Sequence, residues 1–457
     1  MAQEELDPRK HNSEECVNPQ CDICKYKKPF DFPREITEAY KNGQLIIFAG
    51  AGISTERREI FPVSFSNEIK IQLGIPKEEK IKFSTLMTKY CNLTGSKKEL
   101  FTDIKQRIDY VTSFPELFFR ATEFHRELSV IPHLDEVFTT NWDDFFEKEC
   151  GSTPIVTGQD FALFQDISGR KIFKIHGSIS NYSSIIATEE DYRKCYRQMQ
   201  KGIIGAVLKN LLVTKTIVFV GYSLGDEDFQ KIYNLLKKDT NGIMPSSYIV
   251  TLDENAETKI RLLKMNTLPI NTDSSYFIHE FKKKLVEEKL MLPETNFEGI
   301  NEKLEKVITE HHKLSLLDLN KYPDSIYSLA YQDGLMHAFE RILLKMNTGE
   351  YSCMTHLSNT ITDYDKIIKD KLHQKNYWDV AYFRGYQNGL IYLFTTKDRE
   401  SIPLYYLFGE NDVLTFEDFF KFQKNASKKH KTAHQKAVSL IKKIKPKETV
   451  MHHRPFL

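Results

Sequence analysis

Gln44-Leu45-Ile46-Ile47-Phe48-Ala49-Gly50-Ala51-Gly52-Ile53-Ser54 decides the fold of this chain. The apolar run is unbroken rather than alternating, which is how a strand reads when both of its faces are covered. It ends in a glycine turn carrying a hydroxyl. The same order recurs downstream. Leu134 to Phe138 precedes Thr139-Thr140-Asn141-Trp142-Asp143, Lys171 to Ile175 precedes His176-Gly177, and Thr216 to Val220 precedes Gly221-Tyr222-Ser223. A further strand at Tyr248 to Leu252 precedes Asp253. Each run hands over to small or polar residues at the point where a strand becomes a loop. In an open parallel sheet these carboxyl edges are where ligands bind.

The segments between the strands have helical signals. Asp31 to Asn42 reads as a helix, with Gly43 suited to its C′ position. Phe65 to Leu73 has helical spacing, and Phe101 to Leu128 is a longer helical region broken at Pro115. Thr188-Glu189-Glu190-Asp191 resembles a capping box. Asp226 is placed to cap a helix whose apolar face is Phe229, Ile232, Leu235 and Leu236. Strand and helix alternate to about residue 290, which predicts a doubly wound, Rossmann-like parallel α/β fold.

Three regions are expected: a polar, cysteine-containing segment at 1–30, a nucleotide-binding α/β domain at 31–292, and a helical C-terminal domain at 293–457. The 457 residues suffice for two domains, each with its own core. Within the last region Tyr331-Gln332-Asp333-Gly334-Leu335 recurs as Tyr386-Gln387-Asn388-Gly389-Leu390. Two copies do not make a solenoid. They suggest two related helices whose glycines admit a close neighbour, although chance and ordinary helix packing would leave the same trace.

Net charge is +1, so no field of the whole molecule recruits nucleic acid or membrane. Locally, Lys421 to Lys447 is rich in lysine and holds no acidic residue. Such a run is a solvated helix face in most proteins and a nucleic-acid contact in some. No apolar run is long enough to span a bilayer and the first ten residues have no signal-peptide core, so a cytoplasmic protein is expected. Cys91, Cys150, Cys195 and Cys353 are scattered, as in a reducing compartment. His11, Cys16, Cys21 and Cys24 are the one candidate metal set. Cys21 and Cys24 have the spacing of a zinc knuckle, and Cys16 and His11 complete four ligands for a structural zinc; a polar tail with reduced thiols is the alternative.

The strand tips carry the chemistry. Gly50, Ala51 and Gly52 let backbone N–H groups approach a pyrophosphate, and Ser54 adds a hydroxyl, but Thr55 stands where a third dinucleotide-binding glycine would be and a tight turn with no ligand reads the same way. Asn141 and Asp143 either cap a helix from Trp142 to Lys148 or hold a ribose, a carboxamide or a water. His176 is either a core histidine or a base near neutral pH, with Gly177 leaving room for a ligand. Gly221 and Ser223 suit phosphate or ribose. Asp253 is placed like the acidic residue that holds an adenosine ribose, or else starts the following helix.

GAGIS, TTNWD, KIHG and GYS in this order resemble the sirtuin family, over about residues 40 to 260. The resemblance implies a sirtuin-like fold and an NAD site. Gly50, Ala51, Gly52, Ser54, Gly221 and Ser223 would bind NAD, with Thr140 and Asp253 also on the binding side. Asn141 and Asp143 would line the nicotinamide–ribose pocket, and His176 would be the catalytic base. Departures from the protein-deacetylating sirtuins are equally informative. Thr55 to Pro62 replaces their proline-rich segment after GAGIS, only Cys195 stands where they carry a four-cysteine zinc ribbon, and Tyr222 replaces a small residue.

These features resemble the sirtuin-like NAD-hydrolysing domains of bacterial anti-phage defence proteins. That resemblance implies NAD+ as substrate, ADP-ribose and nicotinamide as products, and control by oligomerisation, by a phage-derived trigger, or by a partner such as a DNA-translocating ATPase or a short Argonaute. An NAD-dependent lysine deacylase and a non-catalytic NAD or ADP-ribose sensor are the alternatives. The missing zinc ribbon argues against the first, and the intact Asn141 and His176 against the second.

Overall fold

The computed structural model describes residues 26–443 and 452–455, apart from 58, 223–230, 232, 235–236, 239–246, 396–401 and 409–412 and the side chains of 204, 208, 211 and 212. The chain divides into two compact units, one ending at Glu287 and the other starting at Glu288. His11, Cys16, Cys21, Cys24 and Ser223 lie outside the described residues, as do Asp226 and the residues Phe229, Ile232, Leu235 and Leu236 of the helix expected after it.

The first unit is built on seven parallel strands: β1 (Leu45–Ala49), β2 (Glu136–Thr139), β3 (Thr153–Ile155), β4 (Lys171–Lys174), β5 (Thr216–Val220), β6 (Ser247–Val250) and β7 (Thr267–Ile270). Their spatial order is β3-β4-β2-β1-β5-β6-β7. All five residues of β1 are buried, as the unbroken apolar run requires. From β1 the chain adds strands on one side through β2, β3 and β4 and then crosses to β5 on the other, so the topological switch lies beside β1. This is the doubly wound fold expected from the alternation.

Local signals behave as their chemistry dictates. Helix Arg34–Lys41 is followed by Gly43 at φ +65°. Helix Lys97–Ser113 stops before Pro115, which opens helix Pro115–Ala121 where its missing N–H is not needed. Thr188 and Asp191 form a reciprocal capping box on helix Glu189–Lys201. The outer strands β3 and β7 were not expected. Each contains a proline (Pro154, Pro269), which reads against a strand but is tolerated at a sheet edge.

The second unit is helical, with helices Ile300–Ser315, Ser325–Lys345, Met354–His373, Tyr377–Ile391, Phe416–Lys429 and Lys431–Ile441. The repeated pentapeptides lie on Ser325–Lys345 and Tyr377–Ile391, which pack against each other. A Cβ on Gly334 would stand 2.1 Å from the Tyr382 carbonyl oxygen, and one on Gly389 would stand 2.5 Å from Ala338 Cβ. Gly385 is as tight, 1.9 Å from the Tyr331 carbonyl. The matching glutamines also act alike, each donating its amide to a main-chain carbonyl: Gln332 to Leu404 at 2.9 Å and Gln387 to Ile361 at 3.0 Å. The lysine-rich stretch forms the last two helices, which bury Phe419, Ala426, Ala433 and Ala437. Among the described residues, no helix is long and apolar enough to cross a membrane.

Candidate active site

Four consecutive strands bring the four motifs into one row. In the order β4-β2-β1-β5, their carboxyl ends present His176, Asn141, Gly50 and Gly221. The β2–β4 register pairs Thr139 with Lys174, and the Ile175 N–H still donates to the Thr139 carbonyl at 3.0 Å. Carried two residues further, this register sets Asn141 and His176 at the ends of neighbouring strands.

The two glycine loops interlock. The Gly50 N–H donates to the Val220 carbonyl at 2.8 Å, and the Gly52 N–H donates to the Gly221 carbonyl at 3.1 Å. A Cβ on Gly50 or Gly52 would lie 2.8 Å from the Gly221 oxygen. Gly221 itself has φ +69°, and a Cβ there would meet the Gly50 oxygen at 2.6 Å. These glycines are therefore required first by the mutual approach of two backbones. Tyr222 covers the seam, with its hydroxyl 2.8 Å from Thr140 Oγ1 and donating to the Ala49 carbonyl at 3.2 Å. This is the room that a small residue would leave open.

Beside the seam, a buried polar chain links β1 to β2. Ser54 Oγ donates to Asp143 Oδ2 at 3.3 Å, and Asn141 Nδ2 donates to Ser54 Oγ at 3.4 Å. Thr139 positions the asparagine: its hydroxyl donates to the Ala49 carbonyl at 2.9 Å and accepts the Asn141 N–H at 3.0 Å. Ser54, Asn141, Asp143 and His176 are all at least 96% buried. Asn141 Oδ1 is buried with no hydrogen-bond partner among the described residues. Several other buried side-chain atoms share this state among the described residues; this one lies at the carboxyl edge of the sheet, where a ligand can supply the partner.

Asp143 is the electrostatic centre. Burial pushes its carboxyl up to about 6, against the pull of the Lys174 ammonium. Lys174 is itself buried; it donates to the Asp143 carbonyl and pairs with Glu147 at 2.9 Å. Asp143 also accepts the Phe145 N–H at 3.3 Å, and the helix it leads into is Phe145–Cys150 rather than one from Trp142. Asn141 takes no part in that cap. The His176 ring meets Tyr192 edge-on at 5.2 Å. Gly177, at φ +85°, packs where a Cβ would be 2.2 Å from the Ser184 carbonyl, so its conformation serves the chain path after the histidine.

Asp253 follows β6 but is committed locally. Its carboxylate accepts the Asn255 N–H at 3.0 Å and pairs with Lys259, which holds its pKa below the ordinary range. The structure thus places it at the start of helix Ala256–Leu262.

Sequence reasoning passed over three supporting residues. Lys174 was signalled by a cation inside a buried strand. The other two are arginines that fix the Thr55–Pro62 stretch. Arg107 stacks 3.6 Å over Phe61 and donates to the carbonyls of Thr55 (3.3 Å) and Val63 (3.0 Å) and to Glu56 and Glu68. Arg57 donates to Glu123 and Ser275, each at 3.0 Å.

A family profile described as a SIR2-like domain matches residues 135–270. Over these residues the chain is similar to SIR2-like domains. The match holds Asn141, Asp143, His176 and Gly221, while the Gly50–Ser54 loop precedes it. The chain is 28% identical over 204 residues to an NAD(+) hydrolase ThsA of Enterococcus faecium, covering 44% of this chain and 41% of the relative. It is 28% identical over 210 residues to a ThsA of Cytobacillus dafuensis (45% and 40%). It is 26% identical over 216 residues to Defense-associated sirtuin 2 of Bacillus subtilis (45% and 20%). The chain thus spans about two fifths or less of the length of these relatives.

Proposed function

We propose that this SIR2-like chain hydrolyses NAD+ to ADP-ribose and nicotinamide, as a regulated effector that depletes the dinucleotide in bacterial anti-phage defence. The observation that carries the reading is the Ser54–Asn141–Asp143 chain at the sheet's carboxyl edge, with a buried, unpartnered Asn141 oxygen and with His176 on the neighbouring strand end. The two ThsA relatives, named NAD(+) hydrolases, support the same chemistry.

In this reaction the bond between ribose C1′ and the nicotinamide nitrogen breaks, and its electron pair leaves with the ring, neutralising the pyridinium. The ribose passes through an oxocarbenium-like state, as in glycoside hydrolysis. Water adds to C1′, and its proton passes to His176, directly or through a ribose hydroxyl. Asn141 positions water and ribose, with its amide held by Ser54 so that Oδ1 faces the site as an acceptor. Ionised Asp143 fixes Ser54 and supports the developing positive charge.

Constant activity of this kind would kill a cell. We therefore assign control to oligomerisation, a phage-derived trigger or a partner protein, and place the enzyme in the cytoplasm. An isolated protomer is expected to turn over slowly. The test is incubation of the purified chain with NAD+ alone, quantifying nicotinamide and ADP-ribose alongside native mass. Asn141→Ala and His176→Ala should each lower the rate by about 10²–10⁴-fold. A wild-type rate in His176→Ala overturns the assignment of the base. NAD+ loss that requires an acylated lysine peptide would identify a deacylase instead.

A further inference from the structure

We propose that His311, Asp333 and His452 form a binding site for one divalent transition-metal ion of the zinc class, which ties the segment 452–455 to the helical unit. His311 lies on helix Ile300–Ser315 and Asp333 on helix Ser325–Lys345. One ligand atom from each of the three residues falls within 4.8 Å of the other two. His452 Nδ1 is 3.0 Å from Asp333 Oδ1, and His311 Nε2 is 3.9 Å from the same oxygen. The two imidazoles lie almost parallel, 5.0 Å apart and inclined by 11°.

Two features separate this cluster from a surface ion pair. Asp333 is a carboxylate within the helical core, 99% buried. His311 is 94% buried, and among the described residues neither of its ring nitrogens has a hydrogen-bond partner in good geometry, although the Gln332 carboxamide lies near enough to interact with the ring.

The surroundings are ordered as an outer shell would be. The His453 N–H donates to Asp333 Oδ2 at 2.7 Å, which orients the carboxylate and leaves Oδ1 toward the two histidines. His453 is fixed in turn: its ring stacks on Tyr382 at 4.1 Å and its Nε2 lies 3.2 Å from Asp379 Oδ1. His452 is thereby presented at a set place although its own side chain is 56% exposed. Two imidazoles and one carboxylate suit zinc, cobalt or nickel over magnesium or calcium, and the exposed side leaves a position for water. Sequence spacing could not reveal this set, because its members come from three distant segments.

The experiment titrates the metal-stripped full-length chain with Zn2+ and with Co2+, following bound equivalents, cobalt visible absorption and thermal unfolding. The wild type should bind one equivalent more than His452→Ala, and its cobalt difference spectrum should be that of nitrogen and oxygen ligands. Affinity at this site should fall by at least about 100-fold in the variant. His452→Ala alters an exposed side chain, and Asp333→Asn keeps the shape of the buried one, so folding is preserved while the site is lost. Subtracting the variant removes any contribution from the cysteines near the start of the chain. Equal metal content and equal thermal response in wild type and His452→Ala overturn the proposal.

Discussion

Asp143→Asn should stabilise the α/β unit at pH 8 while impairing the proposed NAD+ cleavage. Burial raises the native carboxyl from 3.8 to about 6 despite the neighbouring Lys174. Because the folded-state value lies above the unfolded one, the native state holds the extra proton between them. Stability is then fullest below about 3.8 and declines as pH rises through about 6. The difference corresponds to about 3 kcal/mol. The residue is fully buried, so little of this is lost to solvent screening. Asparagine keeps the shape and can still accept the Phe145 N–H, and Lys174 retains Glu147 and the main-chain carbonyl as partners. At pH 8 the variant should therefore melt about 5–10 °C higher than wild type, with a flatter pH profile. The chain has two tryptophans, Trp142 next to this residue and Trp378 in the helical unit. In a Trp378→Phe background, fluorescence reports the relevant transition alone. The wild-type rate of NAD+ hydrolysis should rise with pH through about 6, and the variant should lose the part of that limb that belongs to Asp143. A variant that melts at or below the wild-type temperature at pH 8, with a parallel pH profile, would refute the account of Asp143 as a strained, ionised group.

Two further substitutions test the packing. Gly221→Ala combines a φ of +69° with a Cβ 2.6 Å from the Gly50 oxygen, so it should destabilise the unit by more than about 2 kcal/mol and abolish NAD+ binding, read by calorimetry. Gly385→Ala drives a Cβ to 1.9 Å from the Tyr331 carbonyl and should cost the helical unit about 2–3 kcal/mol, seen as a lowered second thermal transition that leaves the first in place.

The central strands and their tips were legible because β1 and β5 are buried on both faces and read as unbroken apolar runs, and because a loop ending in Gly-Ala-Gly has few alternatives. The edges β3 and β7 were not, since Pro154 and Pro269 carry the opposite local preference and only their place at the sheet margin excuses them. The glycines were read for a phosphate, whereas the nearest demand on Gly50, Gly52 and Gly221 is each other's backbone, a long-range contact that no local pattern records. Asp253 shows the reverse. Its position after a strand suggests a ribose or a helix start, and its carboxylate pairs with Lys259, six residues on. Arg57 and Arg107 leave no periodic signature and are recognised only by their partners, whereas Lys174 stands out as a cation within a buried strand.

The seam between Gly50–Ile53 and Gly221 is joined by main-chain hydrogen bonds, with the Tyr222 and Ile53 side chains packed against it. It welds the ends of β1 and β5 into one stiff rim. Accommodation of the proposed dinucleotide would then fall to the rotamers of Ser54, Asn141 and His176 rather than to a hinge between these two strand ends. A change at any one of the three glycines would distort both loops at once.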